Sequence, residues 1–372
     1  MSDTSAEPRD GTSIVARTLL ERASRADMRT RRTLAAAIDD LFLPPEARLD
    51  DRTRAALARL LDGLSGAVEG EIREHAARQL RHAGDPALAD AILGDARPVI
   101  DRLATAGLLR DPDFLGECLA RVQSELTAAA LAPQAPDMPE APSLLVRLAR
   151  SPDRVVAAAA AAALAAESAR RSIAEGRASA GTGLPAELHH RLVWWVTAVV
   201  RERHAIVPGE HHMMLDRALA EAAMRSLAAH DEGDRVEAVV MRLAAAIGAQ
   251  ADELPPLLIE ALHDRRLTLF VALIAHALGV AYELARELVL DLEGERLWLV
   301  LRALELPRSA IAEIGYLLAE ADPRRDVEAF ADLLDPVATI DPVTARLAIA
   351  PLTLHPDYRA ALLALDAAEA RR

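Results

Sequence analysis

The 372-residue chain contains no lysine and no asparagine, and its single cysteine is Cys118. One thiol cannot form an intramolecular disulfide, and such sparse cysteine usage is that of a reducing compartment. Aromatic residues make up only 3% of the chain although hydrophobic residues make up 52%. Ala, Leu and Val must therefore supply the packing. Sheets draw on β-branched and aromatic side chains, whereas the helix formers Ala, Leu, Arg and Glu dominate almost every stretch here. This composition predicts an all-α protein.

Long apolar runs are also missing. Crossing a membrane takes roughly 18 apolar residues, and the best stretch, Leu267 to Val280, is broken by His276 and Gly279. The start of the chain, Met1 to Gly11, is polar, carries Asp3, Glu7 and Asp10, and lacks the basic and apolar parts of a secretory signal. The expectation is a cytoplasmic protein with no membrane contact. Glycine-rich phosphate loops, serine-centred elbows, paired Cys-x-x-Cys motifs and His-Glu-x-x-His are absent as well. No catalytic residue is assigned, no cofactor is expected, and enzymatic activity is the disfavoured class.

All 43 strongly basic residues are arginine, set against 57 acidic ones for a net charge of −14. Exclusive use of arginine reads as the codon bias of a GC-rich genome. The acidic total removes the usual electrostatic footprint of nucleic-acid or anionic-lipid binding. The densest basic group, Arg22, Arg25, Arg29, Arg31 and Arg32, is interleaved with Glu21, Asp27, Asp39 and Asp40. That mixture reads as a salt-bridged helix face.

Four blocks are expected: a disordered tail over 1–11, an N-terminal helical block over 12–82, helical repeats over 83–175 and a C-terminal helical domain over 176–372. In the first block, helical spacing appears over Ile14 to Leu20, Thr33 to Phe42 and Asp51 to about Leu80. Helix starts are then marked by Asp85-Pro86, Asp111-Pro112 and Ser151-Pro152. In each, a capping oxygen precedes a proline whose missing N–H costs nothing at the first helical position. Ala132 to Pro142, with four prolines, and the Gly/Ser/Ala-rich 176–185 read as linkers. Beyond Pro185 come helices over Glu187–His204, His211–His230 and Asp234–Ile247. Leu254 to Leu304 reads as four short helices turning near Asp264, Gly279 and Gly294. Pro307 opens another, and Asp322-Pro323, Asp335-Pro336 and Asp341-Pro342 punctuate the remainder. Short apolar helices joined by tight turns each bury a face they cannot bury alone, which predicts an α-solenoid of stacked antiparallel pairs beside the extra N-terminal block.

Two stretches carry a resemblance. Leu145-Val146-Arg147-Leu148-Ala149-Arg150-Ser151-Pro152-Asp153, followed by Arg154-Val155-Val156 and a run of alanines, resembles the HEAT repeat, an Asp/Pro turn between Leu/Ala-rich helices. The stretch Leu257 to Pro307 includes Asp264-Arg265-Arg266-Leu267-Thr268-Leu269-Phe270, Leu278-Gly279-Val280 and Leu301-Arg302-Ala303-Leu304-Glu305-Leu306-Pro307. It resembles the alphaproteobacterial domain-of-unknown-function family 2336, and the likeness extends from about Gly84 onward. The resemblance implies a helical, HEAT-like fold and brings no catalytic residues. In this chain an Arg-Arg pair, Arg265-Arg266, stands where a small residue is expected, so that turn is expected to differ.

The histidines are the main candidates for chemistry. A helical hairpin through Ile206 to Glu210 would bring His204 near His211 or His212, with Glu202 and Glu210 close by. These are residue types that hold zinc or a related metal. The plainer reading is a set of polar residues at a helix junction, since adjacent histidines on a helix point apart. His75 on a long helix suggests a phospho-accepting histidine, against the commoner case of an inert helical one. Cys118 lies among Phe114, Leu115, Leu119 and Val122 and is expected to pack as a small hydrophobe. Trp194 and Trp195 are consecutive, so they cannot face one core equally, and they mark an expected partner or homodimer surface. A non-enzymatic interaction scaffold or regulatory adaptor with a protein partner is therefore the leading expectation. A metal-dependent enzyme or metal sensor at His204, His211 and His212 comes second, and a nucleic-acid-binding HEAT-like protein third.

Overall fold

The computed structural model describes residues 49–95, 97–131, 142–174, 181–204, 210–355, 357–359, 361–362 and 365. The expected tail, the helices over 14–20 and 33–42, the Arg22 to Arg32 group and the Pro-rich spacer apart from Pro142 lie outside these residues. The chain divides into two compact units, Met1–Arg54 and Ala55–Arg372, and nearly all the described residues belong to the second.

The described residues contain α-helices and short 3-10 turns and no strand, so the protein is all-α. The helices are α1 (Asp51–His82), α2 (Pro86–Gly94), α3 (Ile100–Ala106), α4 (Pro112–Ala130), α5 (Leu144–Leu148), α6 (Arg154–Ala174), α7 (Ala186–His204), α8 (Glu210–Ala229), α9 (Val236–Ile247), α10 (Leu254–His263), α11 (Leu267–Leu278), α12 (Tyr282–Leu290), α13 (Glu295–Ala303), α14 (Arg308–Ala321), α15 (Val327–Thr339) and α16 (Pro342–Ile349). Among them no single helix is long and apolar enough to cross a membrane.

Capping chemistry explains several of the starts. Asp85 accepts from the Leu88 N–H at 3.0 Å and Asp111 from the Phe114 N–H at 2.9 Å, each with proline next in the chain. Asp341 does the same for α16, accepting from Val343 and Thr344. Two expectations are corrected. The cap of α6 is Asp153, which accepts from Val155 at 2.7 Å, while Ser151 accepts from Asp153 and only shapes the preceding turn. An ionised carboxylate is the stronger acceptor, and it sits where the orphan N–H groups begin. Asp335-Pro336 does not interrupt the chain, because Pro336 lies inside α15. Leu334 and Val337 on either side of it are buried, and that packing outweighs one lost backbone bond in the last turn.

The turn after α10 ends on a non-glycine residue in the left-handed region, as does the turn after α13, where Glu305 has φ 65°. Helices α9 and α11 end on Gly248 and Gly279 in the left-handed region, whereas at the end of α10 the positive φ of 57° is carried by Arg265. Glycine reaches that region without steric cost and arginine does not.

Buried side chains form two apolar clusters. One joins α1 to α3, the first half of α4, Leu184, α7 and α8; the other joins Leu131, α5, α6 and α9 to α16. Residues of the block 83–175 thus enter both. Packing is partly between sequence neighbours, such as α7 with α8, α11 with α12 and α14 with α15. It is also between distant elements, since α4 lies against α11, α12 and α14. Contacts of that span are not produced by nearest-neighbour stacking alone.

Candidate functional site

Helix α4 has two working faces. Phe114, Cys118 and Val122 enter the first apolar cluster, and burial pushes the Cys118 thiol up to about 12, so it packs as an inert hydrophobe. One step round the helix, Glu117, Arg121 and Glu125 face a layer of charged side chains contributed by α6, α9 and α12. Glu117 accepts a two-pronged pair of bonds from Arg286, at 2.6 and 3.2 Å, from a residue 169 positions away. Glu237 accepts from Arg170 at 2.5 Å. Arg235 lies 3.2 Å from Glu232 and 3.7 to 3.8 Å from Glu237, Glu117 and Glu283.

These charges are deep in the molecule. Glu237 is 5% exposed and Arg170 12%. Burial alone would raise the Glu237 carboxyl, but the charge and hydrogen bond of Arg170, then the charge of Arg235, outweigh it and hold it at about 2. Burial acts against the charged form of Arg121, and the like charge of Arg170 adds to it.

A cavity of about 510 Å³ opens beside this layer. Four guanidinium groups line it, from Arg121, Arg170, Arg235 and Arg242, together with His230, Asp231 and Asp234. The facing wall is apolar and small, including Ala162, Ala165, Ala166 and Ala169 of α6. Gly181 and Gly183 close one side, and both have positive φ. The segment 181–184 is held from three directions. The Thr182 carbonyl accepts from Arg121 Nη1, its hydroxyl lies 2.9 Å from His189 Nδ1, and the Leu184 carbonyl lies 3.0 Å from His230 Nε2. The His189 and His230 rings stack at 4.0 Å. Burial, and then the neighbouring His230, lower His189 to about 4.

The sequence-designated histidines have other partners. His211 Nδ1 lies 2.7 Å from Asp85, the same carboxylate that caps α2. His212 Nε2 lies 2.7 Å from Arg201 and 3.7 Å from Asp216. His204 is half-buried, burial lowers its pKa, and its Nε2 has no hydrogen-bond partner among the described residues. Glu202 is engaged by Arg102 through two bonds of 2.7 Å. The turn 205–209 and the side chain of Glu210 lie outside the described residues. Among those described, no three His, Cys, Asp or Glu side chains are placed to hold a metal ion. His75 lies beside Arg78 and 3.8 Å from Glu71, and burial, then Arg78, lower its pKa.

Both tryptophans pack against the first apolar cluster while keeping part of their surface. Trp195 meets Phe114 edge-on at 5.5 Å, and the Trp194 indole donates to His190 at 3.1 Å. A more exposed apolar pair lies elsewhere. Helix α16 buries Ala345 and Ile349, yet Val343 is 57% exposed and Leu347 72%.

None of the buried charges was singled out by sequence reasoning. Their signal is a charged residue inside an apolar helical stripe: Arg286 among Tyr282, Ala285 and Val289, or Glu237 among Val240 and Ala244. A family model described as an uncharacterised protein conserved in bacteria matches residues 139–349. That span covers α5 to α16 and all the cavity lining except Arg121. No curated protein and no solved structure matches the chain.

Proposed function

We propose that this chain, which belongs to the bacterial domain-of-unknown-function family 2336, is a non-enzymatic adaptor that holds a protein partner on its helix surfaces in the cytoplasm. The helix pairs are read as HEAT-like units, an architecture whose extended faces suit protein partners. One observation carries the reading. Helix α16 uses Ala345 and Ile349 for its own core and still presents Val343 and Leu347, one turn apart, to solvent. Exposed apolar side chains that lie next to each other on one helix face mark an interaction surface better than scattered ones do. The half-exposed Trp194 and Trp195 are a second proposed contact.

The test compares the full chain with a Val343→Asp, Leu347→Asp variant, each tagged and recovered from its native bacterium, with quantitative mass spectrometry of what comes with it. A specific protein is expected with the wild type and lost from the variant, while the two melt alike, since exposed substitutions cost within about 0.5 kcal/mol. The same proteins recovered with both chains would refute the assignment of this face. Size-exclusion chromatography of both chains separates a second copy from a different partner.

A further inference from the structure

Several buried polar atoms of the charged layer have no hydrogen-bond partner among the described residues: Arg121 Nη2, Arg235 Nε and Nη2, and Glu237 Oε2; the Arg235 atoms still have carboxylates at 3.7 to 3.8 Å. Arg121 is 2% exposed, gives Nε to Glu125 at 3.2 Å and Nη1 to the Thr182 carbonyl at 3.2 Å. Its Nη2 has no hydrogen-bond partner among the described residues, and the side chain lines the 510 Å³ cavity. A buried donor on a charged group is rarely left unmade, because its desolvation is not recovered. Two of the neighbouring carboxylates each have one oxygen committed elsewhere. Glu237 is held on Arg170 at 2.5 Å, and Asp231 accepts from the Gly233 N–H at 2.7 Å. Arg242 donates to the Gly233 carbonyl and so is positioned at the cavity wall.

The shape is as specific as the charge. Ala162, Ala165, Ala166 and Ala169 form a wall with no side chain long enough to fill the space, and the volume lies within the range of small-molecule sites. The lining carries four guanidinium groups against two carboxylates. Guanidinium forks match the paired oxygens of carboxylate and phosphate groups. We propose that this cavity is a binding site for a small organic oxyanion, its carboxylate or phosphate head on Arg121 and its apolar body along the alanine wall of α6.

The test uses three probes with one body: phenyl phosphate, benzoate and the uncharged benzamide, titrated at constant ionic strength into the full chain and followed by calorimetry and melting temperature. A charged probe is expected to bind saturably and raise the melting temperature as a native-state ligand must, with benzamide silent. The better of the two charged probes identifies the head group. Arg121→Met should weaken binding about tenfold or more, the scale of a hydrogen bond to a charged group. That variant removes a buried charge while keeping apolar length, and Glu125 remains in contact with water, so the fold is expected to persist. Ala165→Leu is a second, independent probe, because Ala165 is exposed yet lines the cavity. It should weaken binding with circular dichroism unchanged. Binding by neither charged probe, equal binding by benzamide, or undiminished binding in both variants would overturn the proposal.

Discussion

Removing the Glu237 carboxylate should be among the most damaging single changes in the chain. Glu237 is 5% exposed and its partner Arg170 12%, so neither charge can turn to water when the other is lost. Arg235 retains Glu117, Glu232 and Glu283 nearby, but Arg170 has no second carboxylate at hydrogen-bond distance among the described residues. Breaking a buried pair from one side costs about 3–5 kcal/mol, a large share of the roughly 5–15 kcal/mol typical of a folded domain. Glu237→Leu should therefore lower the urea midpoint sharply, whereas Arg170→Met, Glu237→Leu together should recover most of the loss, because no orphan charge remains. The double-mutant cycle, read by far-ultraviolet circular dichroism in urea, measures the coupling.

The same pair sets an acid limb. The Glu237 carboxyl sits at about 2 in the folded chain against an ordinary 4.5. The unfolded chain therefore takes up the proton first as pH falls. The stabilisation is complete above about 4.5 and disappears on the way to 2, by about 3 kcal/mol at roughly 1.36 kcal/mol per unit. The double variant should lack this part of the slope. A single-variant cost below about 1 kcal/mol, or a double variant as damaged as the sum of the singles, would refute a buried and mutually dependent pair.

Three further outcomes rest on local geometry. His189, held near 4 by burial and His230, stays neutral in the fold while the unfolded ring protonates near 6.5. The melting temperature should thus fall by several degrees as pH drops from 6.5 towards 4, and His189→Leu should flatten that fall. Gly315→Ala should destabilise by about 1–2 kcal/mol in urea unfolding. An added Cβ would lie 2.0 Å from Phe330 Cζ, and overpacking there exceeds the gain in helix propensity; Phe330→Leu should restore most of the loss. Arg265→Gly should stabilise by about 0.5–1 kcal/mol, since the exposed Arg265 holds φ at 57° and glycine reaches that conformation freely.

What was legible in the sequence is what local chemistry decides. The four helices between Leu254 and Leu304 turn at Asp264, Gly279 and Gly294 as the spacing predicts, and Asp85 and Asp111 cap the helices they precede. Errors arose where two local signals competed. Ser151 and Asp153 both offer a cap, and only the folded chain shows that the helix starts after the second. Pro336 reads as a break until the burial of Leu334 and Val337 is known. A charge within an apolar stripe could have marked Glu237 or Arg286, but the pairing of the charged layer could not be read, because its partners meet across the fold. Glu117 and Arg286 are 169 positions apart, and Arg121 reaches a carbonyl 61 positions on. Charge alternation along one helix identifies a solvated face far more often than a buried one, so nothing local distinguishes Arg121 from its exposed counterparts.

The layer and the cavity have one origin. A chain with 3% aromatic residues must fill its interior with Ala, Leu and Val, and small side chains serve where helix backbones come close together. Beside α6 and Gly181 and Gly183 they leave a cavity that alanines cannot fill. Long arginines from α4, α6 and α9 reach into that region instead, and each needs a counter-charge there because water is scarce. Glu117, Glu232, Glu237 and Glu283 supply it for Arg170, Arg235 and Arg286. At Arg121 the matching is looser, with Glu125 half-turned to solvent and the Nη2 group without a hydrogen-bond partner among the described residues. If the alanine wall and the arginines served packing alone, filling the space with a larger apolar side chain should only stabilise the fold. If the space is kept for a ligand, Ala165→Leu should raise or preserve stability while weakening oxyanion binding, and that separation of stability from binding is what distinguishes a site from a packing defect.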